Sequence, residues 1–301
     1  MRYYLGIDLG GTNVKGVLLA ENGNIVGRLQ VEIQNFSGKD NWKKAVAKCA
    51  EELTKLKPVV ISAIGISAPG IPNKENTAIA CMPGRLEGLE NFNWGNFLQI
   101  QTVVVNDAVA ALTAELYSGA AKGSTNAVMV TLGTGVGGAL LINGKPFQGS
   151  FQKAGHIGHI VIDSSGNKDI TGMPGSLEDC IGNWNISERS NGRFSSTHEL
   201  LKEVKRENQE AKTIWLTSVK KLAIGLASVS NIISPDRIIV GGGIAEANEE
   251  LFVPLIRWFH EFDWQPAGNK PEIVKAIHQE MAGAIGAAYF ASDFNKSGGH
   301  K

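Results

Sequence analysis

Cysteine is scarce in this chain, and its cysteines form no motif. The 301 residues include three, Cys49, Cys81 and Cys180. An odd number without regular spacing does not predict a disulfide framework of the kind found in small secreted proteins. We therefore expect free or buried thiols in a protein of the reducing cytoplasm.

An excess of charge of either sign is also absent. Lys and Arg together number 29, as do Asp and Glu, so the formal net charge is zero. Proteins that bind nucleic acid usually carry a basic excess, and we expect no such partner. The hydrophobic content of 43% and the charged content of 19% are typical of a globular protein. The length allows two domains.

Long hydrophobic runs and flexible linkers are missing as well. The longest mainly apolar stretch, residues 127–142, contains four glycines and two threonines, whereas a membrane-spanning helix needs about 20 apolar residues. Met1 leads directly into a predicted strand, with no features of a signal peptide. No stretch rich in proline or serine separates the halves, so we expect a hinge between domains and no membrane partner.

What the chain does have is a glycine-rich hairpin that occurs twice, at residues 3–15 and 128–138. Each copy is an apolar strand, a turn of Gly and Thr, and a second apolar strand. Glycine at such a turn lets backbone N–H groups approach a ligand without interference from a Cβ, and successive N–H groups bind phosphate oxygens. The repetition predicts a duplicated nucleotide-binding unit.

The order of the other predicted elements repeats too. Turn signals at Asn22-Gly23 and Asn143-Gly144 predict that each hairpin continues into a third strand. Apolar periodicity predicts the remaining elements: helices at 41–56, 107–117, 211–233 and 282–292, and strands at 60–67, 102–105, 237–240 and 272–275. The sequence thus predicts two α/β halves of similar topology.

Asn106 and Asp107 close the predicted strand 102–105. A carboxylate at the carboxyl end of a strand lies where α/β folds place reacting groups. Asp107 can also act as the N-cap of the following helix. The two interpretations are compatible, because a cap fixes the side chain that it uses.

The glycine spacing from Gly133 to His159 resembles the signature of the ROK family of sugar kinases, within the sugar kinase/hsc70/actin superfamily of ATPases. The resemblance extends over essentially the whole chain and includes the segments 65–70, 238–243 and 283–286. It implies an α/β fold of two RNase H-like domains, as in actin-like ATPases, flanking a cleft. The implied domains are residues 1–117 with 287–301, and residues 118–286, and the last helix is expected to pack on the first domain.

The resemblance also implies a site. Asp107 would be the general base, and Asp8 would face Mg²⁺ through water. ATP would contact Asp8, Gly10, Gly11, Thr12, Lys15, Thr134, Gly135, Gly242 and Gly243. The sugar would contact Gly70, Asn106, Asp107, His156, His159 and Glu178. For Gly242 and Gly243, an ordinary strand-to-helix turn is the alternative.

Two departures from the family pattern affect the site. His156 stands where the family usually has a Glu that binds sugar hydroxyls, and a neutral His both donates and accepts a hydrogen bond. The run from Asp169 to Glu178 keeps two glycines, Leu177 and Glu178 but lacks the three cysteines that bind a structural zinc in family members. A structural zinc site needs four ligands, mostly Cys and His, so we predict no zinc. Thr171, Pro174 and Ser176 are expected to hold this loop instead.

The leading hypothesis is an ATP-dependent, glucokinase-like sugar kinase that phosphorylates the primary hydroxyl of a hexose or N-acetylhexosamine. It would be a cytoplasmic homodimer, as is common in the family. One alternative is a ROK repressor, which carries a helix-turn-helix ahead of the sugar domain; the chain begins at the phosphate motif and shows no such helix. The other alternative is a non-catalytic, ROK-type sugar-binding sensor or regulator.

Overall fold

The computed structural model describes residues 1–57, 59–82, 86–169 and 171–296. The chain divides into two compact units. The first comprises Met1–Lys122, Gln148–Ala154 and His278–Lys301, and the second comprises Gly123–Phe147 and Gly155–Ile277. The domain boundaries expected from the sequence, after residues 117 and 286, stay a prediction, and residues 297–301 of the expected tail lie outside the described ranges.

The first unit begins with a five-stranded mixed sheet and its covering helices. Five strands form this sheet: β1 (Tyr3–Leu9), β2 (Asn13–Ala20), β3 (Ile25–Glu32), β4 (Ile61–Ala68) and β7 (Thr102–Asn106). Between β4 and β7 the chain forms a separate short pair of strands, β5 (Ile71–Pro72) and β6 (Ile79–Cys81). Its helices up to this point are α1 (Asn41–Lys55), α2 (Trp94–Leu98) and α3 (Asp107–Ser118).

The order of the main sheet is β3-β2-β1-β4-β7. The first three strands are antiparallel, and β1, β4 and β7 are parallel. The edge strand β3 alternates half-buried and exposed residues, whereas β1 and β7 are almost entirely buried, as expected for strands covered on both faces. Helix α1 covers part of the sheet with its buried stripe of Trp42, Val46, Cys49 and Leu53.

The second unit repeats this plan. Its strands are β8 (Ala127–Leu132), β9 (Val136–Ile142), β10 (Lys145–Phe147), β11 (Arg237–Gly241) and β12 (Glu272–Lys275). They form a sheet in the order β10-β9-β8-β11-β12. Its helices are α4 (Leu177–Ile181), α5 (Ile186–Arg189), α6 (Thr197–Lys205), α7 (Gln209–Ile233) and α8 (Glu249–Phe262). The predicted duplication of the α/β topology is confirmed.

Helix α7 is long and apolar enough, by length and composition alone, to cross a membrane. In the second unit it packs against α4, α6 and α8, and half of its most apolar segment is buried. This is the environment of a core helix.

The last helix, α9 (Ala282–Lys296), packs on β1, β4 and α3 of the first unit, as predicted. Glycines allow this approach. A Cβ on Gly6 or Gly65 would overlap the backbone of α9, and one on Gly286 would overlap the carbonyl of Ala110 in α3. The first turn of α9 therefore lies directly against β1.

The predicted strands and long helices are present within a few residues of their expected bounds. The prediction did not include the helices α2, α4, α5, α6 and α8 or the short strand pair β5 and β6. Two of these helices had a signal in the sequence. Ser196 and Glu199 form the spacing of a capping box at the start of α6, and the amide of Glu199 donates to Ser196 Oγ. Residues 249–262 carry a strong amphipathic pattern.

Candidate functional site

Asp8 lies at the end of β1 with its carboxylate packed among groups of the first unit. The hydroxyl of Ser67, on the neighbouring β4, donates to Asp8 Oδ1 over 2.6 Å. A Cβ on Gly283 would overlap the Asp8 carboxylate, so glycine at this point of α9 is what leaves room for it. Ser67 and Gly283 had no assigned role in the sequence, and only the pairing of β1 with β4 and the packing of α9 bring them to Asp8.

The protonation of Asp8 is shifted. Burial is the largest cause that raises the pKa of Asp8 from its ordinary value of 3.8 to about 6. The hydrogen bond from Ser67 lowers this pKa, the negative charge of Asp107 raises it, and Lys15 lowers it. Asp8 and Asp107 are therefore close enough to repel each other, and a cation between them would relieve that repulsion.

Asn106, and not Asp107, provides the N-cap of α3. The Asn106 side-chain oxygen accepts from the amides of Ala108 and Val109, at 2.9 and 3.4 Å, and its amide nitrogen donates to the carbonyl of Gly70 over 3.0 Å. Asp107 is the first residue of the helix, is exposed, and also accepts from Ala108 N over 2.8 Å. Asn106 thus takes the N-cap role that the sequence offered to Asp107. Three of the residues predicted to contact the sugar, Gly70, Asn106 and Asp107, do lie together.

Lys15 follows the first glycine turn and forms an ion pair within the first unit. Its ammonium donates to the side chain of Glu280 over 3.1 Å and to the carbonyl of Glu280 over 3.2 Å. In the turn itself, Gly10 N donates to Asn13 O over 3.0 Å, and Gly11 and Thr12 are exposed. The tip of this hairpin is accessible, and its lysine is held by a carboxylate that sequence reasoning did not identify.

The second glycine turn, residues 133–135, is held by the segment after α4. The amides of Asn183 and Trp184 donate to the carbonyls of Gly133 and Thr134, at 3.0 and 2.9 Å. These two hydrogen bonds fix the turn to the segment that follows α4 in the second unit.

Glu178 of α4 contacts the same turn. Its Oε2 accepts from Val136 N over 2.9 Å, and a Cβ on Gly135 would overlap this carboxylate. The structure thus places Glu178 beside a predicted phosphate-binding residue, and its predicted contact with a sugar stays a prediction.

A cavity of about 550 Å³ opens beside this turn in the second unit. Thr134 and Gly243, both predicted to bind nucleotide, line this cavity. The neighbouring Gly242 has a left-handed φ of 87°, and a Cβ there would overlap the backbone of Leu132. The remaining lining residues are Gly133, Asn183, Thr197, His198, Leu201, Lys202, Lys205, Ile244, Glu246 and Ala247. The α6 residues among them were not predicted, because the helix itself was not.

Three glycines near the predicted nucleotide site, one in each glycine turn and one after β11, are not required by the fold. A Cβ on Gly11, Gly133 or Gly243 would have no atom within 4 Å, and none of the three has a left-handed φ. Gly135 and Gly242 differ, since a Cβ there would overlap Glu178 or Leu132. At the first three positions, the missing side chain leaves space in which a ligand can approach the turn.

His156 and His159 lie on a loop that packs closely on β9. Glycines make this packing possible: a Cβ on Gly158 would overlap the carbonyl of Val136, and one on Gly138 would crowd Gly155. The two imidazole rings are nearly parallel, with centroids 6.4 Å apart. Burial, and then the proximity of His159, lower the pKa of His156. His156 is therefore a neutral ring at physiological pH.

In the run from Asp169 to Glu178, which lacks the family's zinc-binding cysteines, Asp169 is the central hydrogen-bond acceptor. Its Oδ1 accepts from Thr171 N, Thr171 Oγ1 and Met173 N at 2.8, 2.7 and 3.0 Å. Thr171 and Ser176 were expected to hold the loop, and both bond this carboxylate. Asp169 itself was not identified, although Asp side chains in turns commonly accept from the backbone amide two residues further on, as Asp169 does from Thr171.

Across the described parts of the chain, no group of three or more His, Cys, Asp or Glu residues is placed to hold a metal ion. The absence of zinc stays a prediction. An Mg²⁺ site needs fewer protein ligands, since Mg²⁺ keeps several waters and is held by one or two carboxylates plus substrate phosphates. Asp8, with its neighbour Asp107, fits that requirement.

Comparison with known proteins gives consistent results along the chain. A glucokinase from Halalkalibacterium halodurans is 27% identical, with 98% of this chain and 97% of that protein covered. An N-acetylmannosamine kinase from Escherichia fergusonii is 28% identical, with 95% of this chain and 97% of that protein covered. The crystal structure of a ROK hexokinase from Thermus thermophilus superposes with a TM-score of 0.88 at 25% identity, covering 98% of this chain and 99% of that one.

The family model named ROK matches residues 4–294, which is nearly the whole chain. The fold that the family resemblance implied, two α/β units of the actin-like ATPase type, agrees with this structural match. The protein is therefore a member of the ROK family.

Proposed function

We propose that this protein is an ATP-dependent sugar kinase that transfers the γ-phosphoryl group of ATP to the primary hydroxyl of a hexose or N-acetylhexosamine. The observation that carries the proposal is an exposed carboxylate, Asp107, held at the end of β7 close to a second carboxylate, Asp8. The reaction class is supported by the glucokinase and N-acetylmannosamine kinase relatives.

In this proposal Asp107 is the general base. It accepts the proton of the sugar hydroxyl as that oxygen attacks the γ-phosphate. Asn106 caps α3 and bonds Gly70, so the backbone that carries Asp107 is fixed from two sides. A base that is held in place needs no reorganisation when the substrate binds.

The nucleotide would bind through the glycine turns. Gly11 and Gly133 have open space where a side chain would stand, so phosphate oxygens could approach both turns closely. At the second turn the Gly133 amide already donates to the carbonyl of Gly135 over 3.0 Å, so the phosphate would bind other donors of that turn. The cavity between Thr134 and Gly243 has the size of a small-molecule site, and the nucleoside would occupy it. Lys15 would exchange its bond to Glu280 for a phosphate.

Asp8 would hold Mg²⁺ through water. When bound, the ion would neutralise charge on the phosphates and lower the pKa of Asp8 towards its ordinary range. The sugar would contact Gly70, Asn106, His156, His159 and Glu178. Because His156 is neutral and can donate a hydrogen bond, the pattern of accepted hydroxyls would differ from that of relatives with a Glu there.

Two measurements test the proposal. The first is release of ADP from Mg·ATP by the purified protein against a panel of hexoses and N-acetylhexosamines. Release that depends on one or a few of these sugars is expected. Specific sugar binding with no ADP release would instead favour a non-catalytic sensor.

The second measurement is the kcat of Asp107→Asn with the best sugar. The amide keeps the shape but loses the basicity, so kcat should fall about 10²- to 10⁴-fold while the Kd of the sugar changes little. Asp40→Asn, which alters an exposed carboxylate at the start of α1, is the matched control and should behave like the wild type. If Asp107→Asn kept more than roughly a tenth of the wild-type kcat, Asp107 would not be the base.

A further inference from the structure

Asp169 is a fully covered carboxylate in the second unit. Its side chain has no exposed surface. Burial opposes its ionisation, but hydrogen bonds from the Thr171 and Ser176 hydroxyls and from the amides of Met173 and Thr171 outweigh it and lower the pKa of Asp169 to about 2. The group is therefore an anion at physiological pH, and an ionised carboxylate only accepts hydrogen bonds.

The second oxygen of this carboxylate faces His159. Asp169 Oδ2 lies 3.4 Å from His159 Nδ1. Oδ1 is the atom that binds Thr171 and Met173, so the two oxygens have separate tasks. The His159 side chain keeps 34% of its surface exposed, so this imidazole remains accessible to a ligand.

These contacts determine the tautomer of His159. Since Asp169 only accepts, the proton of the neutral ring belongs on Nδ1, and Nε2 is then left as a hydrogen-bond acceptor. His156, on the same loop and nearly parallel to His159, is neutral and does not compete for the carboxylate through a charge.

We propose that Asp169 is a positioning residue, which accepts a hydrogen bond from His159 Nδ1–H and thereby presents Nε2 of His159 as an acceptor for a hydroxyl of the sugar. The part concerning the sugar depends on the kinase function proposed above. The part concerning the tautomer does not, and it can be tested without any substrate.

The tautomer is measured by ¹⁵N NMR of imidazole nitrogens at mildly alkaline pH, with the His159 signals assigned by their loss in His159→Gln. In the wild type, the proton is expected on Nδ1. A proton on Nε2 in the wild type would overturn the proposal. This measurement needs no variant of Asp169, so it decides the question even if such a variant folds poorly.

Asp169→Asn should reverse the tautomer. The asparagine oxygen can keep the bonds from Thr171 and Met173, while its amide replaces Oδ2 and donates to Nδ1, which moves the ring proton to Nε2. A site built to accept from the sugar hydroxyl would then present a donor, and KM for the sugar should rise about fivefold or more with KM for ATP nearly unchanged.

Thr171→Val is the matched control. It removes a hydroxyl bond to the same carboxylate and weakens the loop, but does not alter the group facing His159. Its sugar KM should stay close to that of the wild type. If Thr171→Val and Asp169→Asn raised the sugar KM equally, Asp169 would act only through the loop, and the proposal would fail. If the wild type phosphorylated no sugar but showed the Nδ1 tautomer, the kinase function would fail and the role of Asp169 towards His159 would stand.

Discussion

At the scale of single residues, Asp8 and Asp107 differ in environment although both lie at ends of strands in one sheet. Asp8 is partly buried and accepts from Ser67, while Asp107 is exposed. The burial of Asp8 and the charge of Asp107 both disfavour the ionised form of Asp8. At neutral pH the folded protein must nonetheless ionise Asp8, which lowers the free energy of unfolding.

Asp8→Asn should therefore stabilise the ligand-free protein. The pKa of Asp8 is raised on folding from 3.8 to about 6, so its contribution to the free energy of unfolding falls as the pH rises from about 4 to about 6. Above that range the loss is complete and amounts to at most about 3 kcal/mol. Denaturant midpoints should be higher for Asp8→Asn at pH 7, and the difference should vanish near pH 4.

Asp40→Asn again serves as the control, and its denaturant midpoint at pH 7 should stay close to that of the wild type. Asp8→Asn should also lose nearly all kinase activity. Equal midpoints of wild type and Asp8→Asn at pH 7 would show that burial does not disfavour the ionised Asp8.

At the scale of elements, glycines divide into two groups. Gly6, Gly65 and Gly286 lie where α9 crosses strands or α3, and a Cβ there would overlap backbone atoms. Gly133 and Gly243 have open space. The first group is required for packing, whereas the second has no structural requirement that the described surroundings reveal.

Alanine substitution should separate the two groups. Gly133→Ala and Gly243→Ala should leave the denaturant midpoint unchanged or raise stability by up to about 1 kcal/mol, since the unfolded chain loses freedom. Both should lower kcat/KM for ATP about 10²-fold, because a methyl group displaces the bound nucleotide. Gly6→Ala, the packing control, should lower the midpoint strongly. Normal ATP kinetics in Gly133→Ala and Gly243→Ala would remove these turns from the nucleotide site.

At the scale of the whole molecule, the chain keeps the family topology but organises one loop without cysteine ligands. Asp169 accepts from three loop donors through one oxygen, and Ser176 caps α4. A carboxylate with bonds to its own loop can provide the order that a metal supplies elsewhere.

The purified protein should accordingly contain no stoichiometric zinc, and chelators should leave its Tm unchanged. Structural zinc contributes directly to folding free energy wherever it is present. Elemental analysis and thermal unfolding with and without a chelator measure this. About one zinc per chain, or a clear fall in Tm on chelation, would mean that ligands other than the three cysteines of the family pattern hold a metal.

Much of this protein was determined locally along the sequence. Apolar periodicity and turn chemistry act over a few residues, and they were enough to locate the two three-stranded meanders, the turn at Asn143-Gly144 with both φ values positive, and Asp107 at the end of β7. The family resemblance then followed from the spacing of these features.

Tertiary structure decided which side chains meet. Asp8 meets Ser67 because β1 pairs with β4. Lys15 meets Glu280, which is 265 positions away in the sequence. Helix α6 contributes His198 and Lys202 to the cavity that Gly133 also lines. Asp169 faces His159 where the chain folds back on itself, with Asp169 N donating to Met173 O and Gly175 N donating to Asn167 O. Such contacts depend on strand register, on the packing of helices and on the path of loops, and none of these is encoded in the pattern of a single segment.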